Sequence, residues 1–324
     1  MLNVLLIGAG RMGLRHLRGV AKEADEISIV YHRRNINKEV RQVLDDCNYK
    51  GTLNVVSSIE MVAGRGIKFD AAILSATAEK RAKRFEKVIA LDIAHILIEK
   101  PLEQSRENVK KIQTLANQAK SDIRCNNVFR EQPIFGDFCN ADAATQMTVN
   151  AGAIGLGCGG IHWIDLALYL SGGEPGQFVC GKLDQLPIGS GRGDQFKDFG
   201  GYGLFEFGGG STLYLRVGAE SSASVVCVIT QGHRQLVIDH LGGVSVHQRK
   251  ENVNHPNYLY GQGYVTRQVS NFFNADASAQ TRLWLQHVKG VRRSKLPTLK
   301  EAVRGHELLF DLLETNGAKT FPIT

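Results

Sequence analysis

Apolar positions in the first 125 residues fall into two alternating kinds of run. Short β-branched stretches at 3–7, 27–31, 53–56, 71–75, 95–98 and 123–128 each end in a turn signal. Between them, 11–22, 38–47, 58–63, 79–91 and 104–119 repeat their apolar residues with helical period. Near-continuously apolar strands separated by helices predict a parallel sheet covered on both faces, and right-handed crossovers make it doubly wound. The pattern changes after about Arg130. One apolar helix is predicted at 161–170, followed by strands at 202–207, 211–217, 224–230, 235–239 and 244–248. Their turns are Gly208-Gly209-Gly210, Gln231-Gly232-His233 and Leu241-Gly242-Gly243, the glycine punctuation of an antiparallel sheet. Two further helices are predicted at 263–274 and 299–315. The expected fold is α/β: a doubly wound parallel domain at 1–125, then an α+β domain at 126–324 built on a large, mostly antiparallel, open-faced sheet. Packing against another subunit is the expected use of the open face.

Composition narrows the class. With 324 residues, 43% hydrophobic and 22% charged, the chain suits two folded domains and excludes disorder or a coiled coil. It contains no run of apolar residues long enough to span a membrane, and the apolar start Met-Leu-Asn-Val-Leu-Leu-Ile lacks the basic flank of a signal peptide. Six cysteines are scattered with no C-x-x-C pair, which fits a reducing, cytoplasmic setting. The net charge of +7 is spread out, and the densest basic stretch, Val291-Arg292-Arg293-Ser294-Lys295, has no interleaved aromatics. Nucleic acid is therefore not an expected partner.

Gly8-Ala9-Gly10-Arg11-Met12-Gly13 joins the first strand to the first helix. In that setting G-x-G-x-x-G is a dinucleotide fingerprint and the parallel domain is Rossmann-like. Gly8 makes the tight turn, Gly10 admits the pyrophosphate to the backbone, and Gly13 lets helix and strand pack closely. The helix N-terminus, with Arg11 and Met12, offers N–H groups to phosphate. The second strand ends in Tyr31-His32-Arg33-Arg34, with no carboxylate for a ribose hydroxyl, because Asp25 and Glu26 come too early. Arg33 and Arg34, beside His32, favour a 2′-phosphate, so NADP is expected ahead of NAD. A solvated surface turn is the other use of such arginines.

Two further clusters carry candidate chemistry. Glu99-Lys100-Pro101 ends the fifth strand, where an open α/β sheet places its ligand crevice. Gly159-Gly160-Ile161-His162-Trp163-Ile164-Asp165 opens the apolar helix, with His162 and Asp165 on one helical face. A histidine beside a carboxylate is a candidate general base, although a helix-start histidine is often structural. Cys158 and His162 are four apart, and His233, His240 and His247 recur every seven residues. Neither series reaches a full ligand set, so no metal is expected.

The fingerprint, the Glu99-Lys100-Pro101 tripeptide and His162 before Ile-Asp-Leu-Ala-Leu-Tyr-Leu together resemble the Gfo/Idh/MocA family of NAD(P)-dependent oxidoreductases. Leu296-Pro297-Thr298-Leu299-Lys300-Glu301-Ala302 resembles that family's C-terminal helix entry, while the middle of the second half matches only in its strand-rich character. The resemblance implies a sugar or sugar-derivative substrate and a homodimer or homotetramer formed through the open sheet; Arg130, Lys100 and the positive net charge add a nucleotide-linked or carboxylated sugar to the expectation. The resemblance also implies that Lys100 holds the reacting oxygen and His162 moves its proton, with Asp165 as an orienting partner. Ser75-Ala76-Thr77 stands where the family passes a loop under the nicotinamide, and Glu99 with Lys100 borders the same cofactor. Cys158 replaces a frequent family aspartate, which leaves the usual lysine–aspartate–histidine set incomplete. Cys158, Trp163 and Arg130 complete the expected substrate contacts, and a salt bridge is the alternative for Arg130. The expected reaction is hydride transfer to or from a CH–OH or C=O carbon. A transient-redox epimerase or lyase, and a non-catalytic NADP-binding regulator, are the alternatives.

Overall fold

The computed structural model describes residues 1–31, 38–64, 66–138, 143–241, 243–249, 263–269 and 276–324. They fall into two compact units, each assembled from separate stretches of chain. The first is Met1–Glu131, Ala275–His306 and Pro322–Thr324; the second is Gln132–Asn274 and Glu307–Phe321.

The first unit is a six-stranded parallel sheet. Its strands are β1 (Asn3–Ile7), β2 (Glu26–Val30), β3 (Thr52–Val56), β4 (Ala71–Leu74), β5 (His95–Ile98) and β6 (Asp122–Cys125), in the order β3-β2-β1-β4-β5-β6. The order reverses between β1 and β4, and that reversal opens a crevice at the strands' carboxyl ends. The crossover helices are α1 (Arg11–Val20), α2 (Lys38–Asp46), α3 (Ile59–Ala63), α4 (Arg81–Ile89) and α5 (Arg106–Asn117). Ser58 caps α3 and Ser105 caps α5, each accepting from a backbone N–H three residues on. Val4, Leu6, Ile27, Ile29, Ile73 and Leu97 of the sheet pack on Leu17 and Val20 of α1 and on Val40 and Val43 of α2. Trp284 and Leu285 join this core from α8 (Ala277–Val288), which lies against α1. Gly19 makes that contact possible: a Cβ there would stand 2.5 Å from the Ser278 carbonyl oxygen. The sixth strand ends at Cys125 rather than at 128, and Val128–Glu131 forms a 3-10 turn instead.

The second unit carries an eight-stranded sheet of β7 (Thr145–Ala151), β8 (Gly176–Gly189), β9 (Lys197–Phe207), β10 (Ser211–Val217), β11 (Val226–Gln231), β12 (Arg234–Asp239), β13 (Gly243–Arg249) and β14 (Tyr264–Val269). The order is β14-β13-β12-β11-β7-β10-β9-β8, antiparallel throughout except for β7 beside β10. The short helix α6 (Pro133–Asp137) precedes it, and α7 (Ile161–Leu170) packs on β7 and β10. Met147, Val149, Leu213, Leu215, Cys227 and Ile229 face inward, while Thr148, Tyr202, Tyr214 and Val226 face solvent on the other side. A last helix, α9 (Leu299–Leu313), begins with a capping box in which Thr298 and Glu301 each bond the other's backbone N–H.

The expected fold class is thus the one observed, although β7, β8 and α8 were not expected and one predicted element is reversed. The helix predicted at 263–274 is strand β14 over Tyr264–Val269; the rest of that prediction, from 270, falls outside the described residues. Paired on β13 at the sheet edge, β14 is exposed along nearly its whole length, so its side chains carry no burial period.

Candidate active site

The glycine turn is built by contacts on its inner side. Gly8 has φ of 99°, and its N–H donates to Val30 O at 3.2 Å. A Cβ on Gly13 would lie 2.0 Å from Gly8 O, so α1 stands hard against the turn. Ser75, at the end of β4, donates its hydroxyl to Gly8 O at 2.8 Å and so lies behind the turn. The outer side differs. Nothing lies within 4 Å of a Cβ placed on Gly10, and the N-terminus of α1 receives no side-chain cap. Its first-turn N–H groups are those a helix cannot satisfy internally. A cavity of about 500 Å³ adjoins the turn, lined by Gly8, Ala9, Val30, Tyr31, Ala76 and Thr77 and rimmed by Lys80, Lys83, Arg84 and Lys87. Glu60 also lines it and pairs with Lys87, which holds its carboxyl down at about 2. His32, Arg33 and Arg34 lie outside the described residues.

Glu99 and Lys100 share a loop but not an environment. Glu99 is buried, its Oε1 accepting from His16 Nε2 at 2.8 Å and from the Asn126 amide. Thr281 gives its hydroxyl proton to Ala277 O at 2.6 Å and receives His16 Nδ1 at 2.7 Å, so α1, α8 and β5 meet in one buried chain of hydrogen bonds. Burial works to raise the Glu99 carboxyl, yet the hydrogen bond and charge of His16, helped by Lys100 and Asn126, hold it at about 2. Lys100 is partly exposed. Its loop is fixed from beneath by Arg81, which donates to the carbonyls of Ala76, Glu99 and Pro101, and by His306, whose Nε2 accepts from Leu102 N at 2.9 Å. Sequence reasoning missed His16, Arg81, Asn126 and His306, which are remote in the chain and carry no motif of their own.

Arg130 is 3% exposed and donates to Glu301 Oε1 at 2.8 Å; its charge is spent on an ion pair within the first unit. Any anionic substrate would have to compete with that carboxylate.

The remaining expected residues belong to the second unit. Gly155, at φ of 76°, leads into a π-type turn over Leu156–Gly160, and α7 begins at Ile161. His162 is half-buried, whereas Trp163 and Asp165 are fully buried. Asp198 of β9, missed in the sequence, organises the turn. Its Oδ1 accepts from Gly157 N and Phe199 N, and its Oδ2 from Cys158 N, all at 2.8 Å. The Cys158 thiol bonds the same carboxylate. Burial outweighs these bonds and raises the Asp198 carboxyl above its ordinary range. A Cβ on Gly155 would stand 2.1 Å from Asp198 Oδ2, so the carboxylate occupies the space a side chain would need. The position read as lacking a carboxylate therefore has one beside it, delivered from a strand 40 residues away.

The glycine turn and its cavity agree with a comparison of sequences: residues 2–126 match the GFO_IDH_MocA model, "Oxidoreductase family, NAD-binding Rossmann fold". The sequence likeness is thus to the NAD-binding part of the Gfo/Idh/MocA family. None of the curated proteins compared matches the sequence. Among solved structures, UDP-N-acetylglucosamine 3-dehydrogenase GnnA from Acidithiobacillus ferrooxidans is 15% identical with a TM-score of 0.69, covering 96% of each chain. GenD2 from gentamicin A biosynthesis, solved with NAD, is 16% identical with a TM-score of 0.68 over 98% of this chain and 94% of its own. The transcriptional regulator Gal80p from Kluyveromyces lactis is 13% identical with a TM-score of 0.73 over 98% and 89%. At these identities the likeness is one of fold alone, shared along nearly the whole chain. Among the described residues, no helix is long and apolar enough to cross a membrane.

Proposed function

We propose that this protein is an NAD(P)-dependent oxidoreductase acting on a sugar, a sugar derivative or a nucleotide-linked sugar. The observation that carries the reading is the glycine turn: packed tight at Gly8 and Gly13, open at Gly10, and continued by an uncapped helix N-terminus. These residues fit a dinucleotide, because the open face admits a pyrophosphate and the N–H groups and helix dipole receive its charge. The cavity beside Tyr31 would take the adenosine end. Lys80, Lys83, Arg84 and Lys87 around it favour a phosphorylated ribose and so NADP over NAD.

When bound, the nicotinamide supplies the hydride acceptor or donor. In oxidation, His162 takes the hydroxyl proton while the Lys100 ammonium stabilises the developing charge on oxygen; in reduction both roles reverse. Asp198 fixes the turn from which His162 projects, and Arg81 and His306 fix the loop of Lys100. The sugar class rests on the family resemblance and on GnnA, a nucleotide-sugar dehydrogenase by name. A homo-oligomer formed through the open face of the second sheet belongs to the same proposal, supported by exposed Tyr202, Tyr214 and Val226.

Titration with NADPH and NADH, followed by a panel of sugars and nucleotide sugars, tests the reading. Net change at the nicotinamide absorbance band is the expected result. Sugar conversion without net change would replace it with transient redox, and binding without either would replace it with a regulator, a role for which Gal80p supplies a precedent of fold.

A further inference from the structure

A second cluster of chemically capable groups sits at the opposite edge of the parallel sheet. His95 is the first residue of β5, Asp122 is the first of β6, and the two are register partners on adjacent strands. His287, in the last turn of α8, points at them: its Nε2 is 2.7 Å from Asp122 Oδ2, and its ring meets that of His95 edge-on at 5.9 Å. His95 Nδ1 is buried, 3.9 Å from the same oxygen, beyond hydrogen-bond distance and with no hydrogen-bond partner among the described residues. All three donor atoms lie within 4.8 Å of one another.

The surroundings prepare these atoms as ligands. His287 Nδ1 faces the Arg292 carbonyl oxygen at 3.3 Å, a contact that holds the ring with its Nε2 toward Asp122. Arg124 Nε donates to Asp122 Oδ1 at 2.8 Å, which orients the carboxylate and leaves Oδ2 to the two imidazoles. In a tetrahedral zinc shell, donors bound at about 2.0–2.1 Å stand about 3.3 Å apart, between the two separations observed here.

We propose that His95 Nδ1, Asp122 Oδ2 and His287 Nε2 form a binding site for a divalent transition-metal ion of the zinc class. Two neutral imidazoles and one carboxylate leave a fourth position to water. β5 runs from His95 toward Glu99 at about 3.3 Å per residue, so the ion lies about 13 Å from the Lys100 loop. Its role is to clip α8 to the sheet, joining residues 165 apart in the chain.

The test uses the full-length, tag-free protein, freed of metal by chelation and titrated with Zn²⁺ alone. One equivalent is expected to bind and to raise the unfolding temperature. In His95→Gln and His287→Gln the dissociation constant should rise at least about tenfold, while nicotinamide-cofactor binding stays as in the wild type. Imidazole ¹⁵N spectra of the wild type keep the test decisive if either variant misfolds, because only His95 and His287 should shift at one equivalent. No stoichiometric binding, affinity unchanged in both variants, or shifts confined to other histidines would each overturn the proposal.

Discussion

Gly10 and Gly13 belong to one motif and answer to different demands, which makes them separable by substitution. Gly13→Ala drives a methyl group into Gly8 O and should destabilise the protein by about 1–3 kcal/mol, read as a lowered denaturation midpoint. Gly10→Val meets only open space, so stability should fall by no more than about 1 kcal/mol, the cost of a branched residue at the helix N-cap, while dinucleotide affinity falls at least tenfold by fluorescence titration. Equal losses of affinity and stability at both positions would contradict this division. His162→Ala should retain cofactor binding and lose about 10²–10⁴-fold in turnover, and unchanged turnover would remove His162 from the mechanism. The glycines were legible because their constraint is local: turn, helix start and spacing lie within six residues of sequence. Glu99 was legible as part of a motif but not in its role. The partner that fixes that role, His16, lies 83 residues away, and the pair turns Glu99 from an expected cofactor neighbour into a buried anion.

At the scale of elements, the π-type turn before α7 depends on one side chain from β9. Asp198→Ala would leave the N–H groups of Gly157, Cys158 and Phe199 without their acceptor, at about 1–3 kcal/mol for each that water cannot reach. Lowered stability together with lowered turnover is expected, and Asp198→Asn should recover part of both, because its amide oxygen still accepts. A variant as stable and active as the parent would show that the turn holds itself. The one-sided burial period of β10, Ser211–Val217, was readable, whereas β7, Thr145–Ala151, alternates as cleanly and was not read. Other elements were not readable. α8 buries Ser278, Gln280 and Thr281 beside Trp284, so its inner face does not look apolar, and β8 interrupts its strand with Gly181 and Pro187. β14 faces solvent with Tyr264, Thr266 and Arg267 alike, which leaves no period to read.

For the whole molecule, two buried groups in the first unit each withdraw stability as the solution is acidified. Burial, aided by the charges of Arg81 and Lys100, lowers His306 from 6.5 to about 4 against the pull of the Ala302 carbonyl. Between those values the unfolded chain takes up a proton that the folded chain refuses, so stability is lost as pH falls from 6.5 to 4. The full effect of such a shift is about 3 kcal/mol. Glu99, lowered from 4.5 to about 2, stabilises the fold above pH 4.5 and loses that contribution as pH falls toward 2. Urea unfolding from pH 7 to 4 should therefore decline in the wild type and flatten in His306→Gln; equal slopes would remove His306 as the cause.

The borrowed segment Ala275–His306 has a consequence for how the protein is made. A ribosome releases β1 to β6 long before α8, and until Trp284 and Leu285 emerge the flank of α1 around Gly19 has nothing to cover it. The unit that starts first is completed last, waiting through the whole synthesis of the second sheet. During that interval the nascent dinucleotide fold carries an uncovered apolar flank, the kind of surface that chaperones hold.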